Sequence, residues 1–253
     1  MDEFHLRSEA EYADALERFP YPLEIVHGRD ALAAYERLKA RDGHTPVVIG
    51  GPSELAMVFE GYEIGLEQEP SAALILERAG ELRFPADLRA QKDREFAAFR
   101  KTYPDIVFDD DDEADTEDGD WPVDVEYGGA GLTVAEDVLS GEPWPRVHIA
   151  LIPTRDPTEA PAYLRAGGWN DCPEAVHQVA ALRAWRDRYG AELIGFSHDT
   201  MNIRVQRQPS SRDEALALAR EQYLFCSDML NEMTLTELGA YLVENDWWFF
   251  WWD

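Results

Sequence analysis

Apolar and polar positions alternate between two rhythms over residues 1–104. Leu23–His27 and Thr45–Ile49 are short apolar, β-branched runs of strand length. Asp30–Arg41 places Leu32, Tyr35 and Leu38 at helical spacing, and Ser53–Glu60 reads as a second helix. Asp87–Tyr103 reads as a third, with Phe96 and Phe99 on one side and Pro104 just past its end. Strand-helix-strand-helix order predicts a small α/β domain.

The pattern resumes at residue 147. Val147–Ile152 is a strand ended by Pro153. Pro173–Tyr189 is a helix with an apolar stripe at Val179, Leu182, Trp185 and Tyr189, and Gly190 supplies its stop. Leu193–His198 and Met201–Arg207 are two strands joined at Asp199-Thr200. Ser211 and Glu214 have the spacing of a capping box at the start of a helix reaching Cys226. Thr236–Val243 is a shorter helix, and the aromatic run Trp247–Trp252 suits a closing strand. With the short helix set aside, the order β-α-β-β-α-β is that of the split βαβ, ferredoxin-like fold. The expected class is therefore α+β: a C-terminal ferredoxin-like antiparallel sheet over 147–253 with helices on one face, preceded by the small α/β domain. Residues 105–146 lie between them.

Charge sharpens that division. The net charge is −28, and half of it falls in residues 105–146, which carry 15 acidic groups and 1 basic one. Asp109–Asp120 is almost wholly acidic and has no apolar residue beyond Ala114 to bury, which predicts a solvated linker or long loop. It lacks the ligand spacing of a calcium loop. The acidity and the absence of clustered Lys and Arg exclude nucleic-acid binding through phosphates. The longest apolar runs, Ala72–Leu76 and Trp247–Trp252, fall far short of the roughly 20 residues a membrane span needs, so no membrane partner is expected. Met1–His5 does not open a basic-then-apolar leader, and two cysteines make no disulfide framework. The expectation is a cytoplasmic protein with reduced thiols.

Gly167-Gly168-Trp169-Asn170-Asp171-Cys172-Pro173, with Trp185, Tyr189-Gly190-Ala191, Cys226, Asp228 and the ending Trp248-Phe249-Phe250-Trp251-Trp252-Asp253, resembles a bacterial family catalogued as domain of unknown function 4253. The resemblance runs from about Val147 onward, and Leu23–Gly50 looks like the region that precedes the domain in such proteins. Phe225 and Ser227 depart from the family's Tyr-Cys-Pro-Asp, and Asn202 stands where a Glu is expected. The resemblance implies a domain and no activity.

The ferredoxin-like order would gather Trp169, Asp171, Cys172, His198, Asp199, Cys226, Asp228 and Trp247 at one end of the sheet, with His177 one helical turn below. Thiols, carboxylates and a histidine could hold zinc, and a cysteine at a helix start could be a nucleophile. Each position also has a structural reading: Asp171 as a helix cap, Asp199 as a turn residue, the cysteines as inert core. Gly50-Gly51-Pro52-Ser53 joins a strand to a helix, where phosphates can bind, but it fits neither glycine-rich phosphate motif. Ser197, His198 and Asp199 are triad residue types placed as chain neighbours, and neighbours in a strand point in different directions. No motif assigns a catalytic residue, a cofactor or a resident metal.

Two function classes follow. One is a non-enzymatic interaction module, a toxin-immunity role being one form of it. Its surface would be Trp169, Asn202, Arg204, Gln206 and the terminal Trp247, Trp248, Trp251 and Trp252, and its partner another protein or a second copy. The other is a small-molecule or metal-binding enzyme using Asp171, Cys172, His177, His198, Asp199, Cys226 and Asp228. The terminal strand, aromatic on both faces, is expected at a sheet edge with one face covered by the N-terminal domain.

Overall fold

The structure is a computed structural model that describes residues 8–41, 43–69, 71–104, 121–122, 131–137, 140–231 and 233–253. The acidic stretch Asp109–Asp120, expected as a linker, lies outside the described residues. In chain order the helices are α1 (Glu9–Arg18), α2 (Ala31–Lys39), α3 (Pro52–Gln68), α4 (Ala72–Glu81), α5 (Ala86–Thr102), α6 (Ala160–Leu164), α7 (Ala175–Tyr189), α8 (Arg212–Phe225) and α9 (Leu235–Glu244). The strands are β1 (Leu23–Val26), β2 (Thr45–Gly50), β3 (Val147–Ile152), β4 (Glu192–Phe196), β5 (Thr200–Arg204) and β6 (Trp247–Trp251). Among the described residues no helix is long and apolar enough to cross a membrane.

All six strands join one sheet in the order β1-β3-β2-β4-β5-β6. β2 is the reason. Each of its six residues is buried, so it needs a neighbour on both edges and cover on both faces. It pairs antiparallel with β3 (Val47 opposite Ala150) and parallel with β4 (Val48 opposite Gly195). Strands from before and after residues 105–146 therefore share a single sheet. This corrects the ferredoxin-like expectation, in which β3 lies inside an all-antiparallel sheet of C-terminal strands. Here β2 separates β3 from β4, and the sheet is mixed.

The helices also lie on both faces rather than one. Alternate residues of β2 and β3 point opposite ways. Val47, Ile49, Ala150 and Ile152 enter the larger core with α1, α3, α7, α8 and α9. Val48, Val147 and Ile149 pack against Ala31, Ala34, Tyr35 and Leu38 of α2. The second face is completed by the turn Thr133–Ala135, which lies over β5. Asn202, expected on an open polar face, is fully buried there. Its Oδ1 accepts from the Val134 N–H at 3.1 Å, and its Nδ2 donates to Thr133 Oγ1 at 2.8 Å.

The short helix α9 decides the direction of the last strand. α8 begins just after β5 ends, and Cys226 at its far end donates to the Trp251 carbonyl at 3.0 Å. Trp251 lies opposite Thr200, and Trp247 opposite Arg204. α9 therefore carries the chain back along α8 before β6 starts. With α9 set aside, β6 is expected to begin beside the Asp199 turn; it ends there instead.

β6 is an edge strand, as expected, and its alternation splits the aromatics. Trp248 and Phe250, with Trp252 beyond, are core. Trp185 of α7 is the hub. Phe250 stacks on it (5.5 Å between centroids, 11° between planes), while Phe84, Phe225 and Trp248 meet it edge-on at 5.1–5.7 Å. On the other face Trp247 is half-buried under the Arg204 guanidinium, and Trp251 is 38% exposed.

Asn202 gives the fold its sharpest test. Asn202→Leu removes both partners of the Thr133–Val134 turn and leaves a buried N–H without an acceptor, at a cost of about 1–3 kcal/mol. The expected outcome is a lower midpoint in chemical denaturation, with the slope unchanged. A midpoint equal to that of the parent protein would contradict the buried role.

Candidate functional site

The Gly167–Pro173 segment leads from α6 into α7, and its backbone explains its residues. Gly167 has φ of 78°, and a Cβ there would lie 1.9 Å from the Pro173 carbonyl oxygen. Only glycine lets the loop close so tightly on the start of α7. Asn170 takes the left-handed region at φ of 44°, which asparagine tolerates. The turn sends Trp169 toward β4, where its indole lies nearly parallel to the His198 ring, 6.0 Å away at 13°.

The rest of the motif ties down the Trp251–Asp253 segment. Asn170 Nδ2 donates to the Asp253 carbonyl, and the Asp253 N–H donates to Asp228 Oδ2 at 3.1 Å. The Trp252 N–H donates to the Asp199 carbonyl at 3.0 Å. Asp171 takes the Lys92 ammonium at 2.6 Å and the Ser227 hydroxyl at 2.7 Å. Thus Asp171, Cys172, Asp199, Cys226 and Asp228 do gather at one end of the sheet. His177 does not join them; it is buried on α7, with Asp87 and Glu95 of α5 among its electrostatic neighbours. Trp247 lies at the opposite end of β6. Lys92 is the member the sequence reading omitted, and its position as one of only three lysines was the available signal.

This cluster is built for cohesion rather than reaction. Cys172 and Cys226 are free thiols and both are buried. Burial pushes the Cys172 thiol well up, with nearby Cys226 and Asp171 adding to the rise. Burial also pushes Cys226 up, to about 12. A helix N-terminus favours a thiolate, but Cys172 precedes the first turn of α7 and desolvation wins. Among the described residues no three His, Cys, Asp or Glu side chains are placed to hold a metal ion. Ser197 Oγ donates to Asp199 Oδ1 at 2.8 Å and accepts from the Thr200 N–H, a self-contained turn rather than a triad. Of the aromatic surface expected for a partner, Trp248 and Trp252 are core, Arg204 is paired with Asp246, and Gln206 stands exposed beside Gly190.

The Gly50-Gly51 turn at the start of α3 is filled from within. A Cβ on Gly51 would lie 2.8 Å from Glu54 Oε2 and 3.3 Å from the Trp144 ring. Burial raises the Glu54 carboxyl, and nearby Asp199 and Asp137 push it further the same way. A phosphate would meet carboxylates where it needs donors. Beneath the turn, His148 is fully buried between the Gly50 carbonyl at its Nδ1 and the Tyr12 hydroxyl at its Nε2, each at 3.1 Å. A carbonyl only accepts, so Nδ1 carries the proton and Nε2 accepts from Tyr12.

Beside Trp169 and His198 opens a cleft of about 500 Å³. Its walls are the second half of α3, Ile75 and Arg78 of α4, the loop Leu164–Trp169 and the start of α7. Val58, Leu164, Val176 and Phe196 give it an apolar floor. α3 meets the loop through Gly65, where a Cβ would lie 2.4 Å from the Arg165 Cβ. Gly61, one turn earlier, has nothing within 4 Å of its Cβ position and opens directly onto the cleft. Trp169 and His198 are the cleft residues that the sequence singled out. The α3 and α4 walls carried no motif and were not foreseen.

Two outcomes check these assignments. Native protein is expected to leave both thiols unreacted toward a thiol-disulfide reagent and to expose both on unfolding; a thiol that reacts rapidly in the native state would overturn the inert reading. Burial lowers the pKa of His148 and of His177, so the unfolded chain binds their protons first, from about pH 6.5 downward. Stability is therefore complete above that pH and falls as pH drops toward the folded-state values. Urea midpoints should decline from about pH 7 to about pH 5, and less steeply in His148→Gln; a flat profile would contradict the buried neutral state.

Comparison with curated proteins and with solved structures finds no match. The family comparison does, and it covers β3 to β6, the loop that positions Trp169, and the hydrogen-bonded cluster around Asp253. Residues 148–253 match the family described as Domain of unknown function (DUF4253), the one that the Gly167–Pro173 motif and the Trp-Trp-Asp ending resemble.

Proposed function

We propose that the protein binds a small molecule in the cleft between α3, α4 and the Leu164–Trp169 loop. The observation that carries this reading is the cleft itself. Its volume of about 500 Å³ lies within the range of small-molecule sites, and it joins an apolar floor to a few polar groups at the rim. The Gly167–Pro173 segment supplies Trp169 to its wall. The reading is of binding rather than catalysis, because the two thiols are buried, with their protons held more firmly than an ordinary thiol's, and are poor nucleophiles.

The interaction-module reading retains one specific support. β6 is an edge strand with Trp251 exposed, a place where another chain could add a strand. Asn202, Trp248 and Trp252 lend it nothing, since all three are buried.

Gly61→Phe tests the cleft reading. Gly61 lines the cleft and a Cβ there meets nothing within 4 Å, so the fold leaves room for a side chain at this point, and replacing a mid-helix glycine removes up to about 1 kcal/mol of helix penalty. In a fragment screen by ligand-observed NMR, the parent protein is expected to yield binders that Gly61→Phe loses while melting at the same or a higher temperature. Binders that persist in the variant, or an empty screen against the parent, would refute the proposal.

A further inference from the structure

Trp169 and His198 both line the cleft, and their rings lie 13° from parallel with centroids 6.0 Å apart. Two rings in one orientation give that wall a flat aromatic surface. The chain around Trp169 is tied on both sides. The Gly168 N–H donates to the Cys172 carbonyl at 3.1 Å, the Cys172 N–H donates to the Trp169 carbonyl at 3.0 Å, and Asn170 holds the Asp253 carbonyl. His198 follows the last residue of β4 but one, with its Nδ1 3.4 Å from Asp199 Oδ1. Yet the indole is only half-buried, so part of its surface is left to the cleft. An aromatic fixed in this way has given up its conformational freedom before a ligand arrives, and a ligand that stacks on it does not bear that cost. α3 lines the same cleft at Gly61, where no side chain occupies the space.

We infer that the cleft takes a flat aromatic ring system, stacked on the Trp169–His198 wall with its edge toward the Val58–Phe196 floor. The inference rests on the proposal that the cleft binds small molecules, and it adds the shape and bonding of the ligand. Charge is the weaker selector. Carboxylates and guanidiniums share the lining, Glu69 and Arg78 as a pair 3.4 Å apart and Glu60, Glu174 and Arg165 beside them. A flat ring gains the stacking interaction over its whole face. A puckered ring of the same carbon count meets the wall through a few hydrogens.

Two neutral probes separate these cases in titrations of the full chain followed by ligand-observed NMR: naphthalenemethanol and its fully hydrogenated counterpart. Burial alone favours the saturated alcohol, which has the larger apolar surface. Stacking reverses the order, and the aromatic alcohol is expected to bind about fivefold more tightly. Trp169→Leu keeps an apolar side chain and should bring the ratio to one or below, while Trp169→Phe should keep most of it. The ratio is unaffected by partial unfolding, because both probes meet the same folded fraction. If Trp169→Leu does not fold at all, His198→Leu decides, with the ratio expected to fall by about half. Gly61→Phe should abolish binding of both probes. Equal binding in the parent protein, preference for the saturated alcohol, or a ratio unchanged in the deciding variant overturns the inference; if binding is still lost in Gly61→Phe, the cleft reading stands. An aromatic preference that survives Gly61→Phe places the ring elsewhere and overturns the inference. Failure of both probes to bind also overturns it, and the cleft reading is then decided by the fragment screen alone.

Discussion

A strand with no exposed residue governs this molecule. Thr45–Gly50 offers no edge and no face to water, so its backbone groups need partners on both sides and its side chains need cover above and below. β3 and β4 supply the edges, while α2 covers one face and α3 with its neighbours the other. Much else follows. The two stretches flanking residues 105–146 cannot hold separate sheets, because the second stretch provides both partners of a strand in the first. α3 must leave β2 at the end where β4 and β5 turn. Its far half then becomes the wall opposite the Gly167–Pro173 loop, and the cleft is the gap between them.

Local signals in the sequence were informative wherever the cause was local. Gly190 ends α7 in the left-handed conformation that a stop glycine is chosen for. Ser211 caps α8 by accepting from the Glu214 N–H, although the Glu214 carboxylate turns to Ser210 instead of closing the box. The same rule applied to Ser8 with Glu11 and to Thr234 with Glu237 identifies two true capping boxes, and α1 was there to be read. Strand partnership was not legible. Nothing in Thr45–Gly50 says that its neighbours lie beyond an acidic stretch, and the order of C-terminal elements agrees with a complete ferredoxin-like sheet. The one C-terminal element that disagreed was α9, ten residues long, and leaving it aside reversed β6.

The same division holds for the site. The motif residues were visible as types, and most of them do converge, but convergence alone does not set their chemistry. Burial does. A thiol with its proton held against a backbone carbonyl, and carboxylates spent on an ammonium, a hydroxyl and an amide N–H, form a fastening for Trp251–Asp253. The cleft shows the reverse case. Its α3 wall is written in Met57, Gly61, Ile64 and Gly65, residues that carry no chemical signature, and becomes a site only by the shape of what surrounds it.

The central position of β2 also sets an order of events during synthesis. Val47 awaits Ala150 and Val48 awaits Gly195, so the strand leaves the ribosome long before either partner has been translated. Until then the elements before residue 105, chiefly α2 on one face and α1 with α3 on the other, are at hand to shield its apolar faces. Sheet closure is a late, long-range event, and chains with such distant pairings fold slowly. The half-made protein therefore carries an apolar strand with both edges bare, the state most exposed to misassembly and to capture by chaperones.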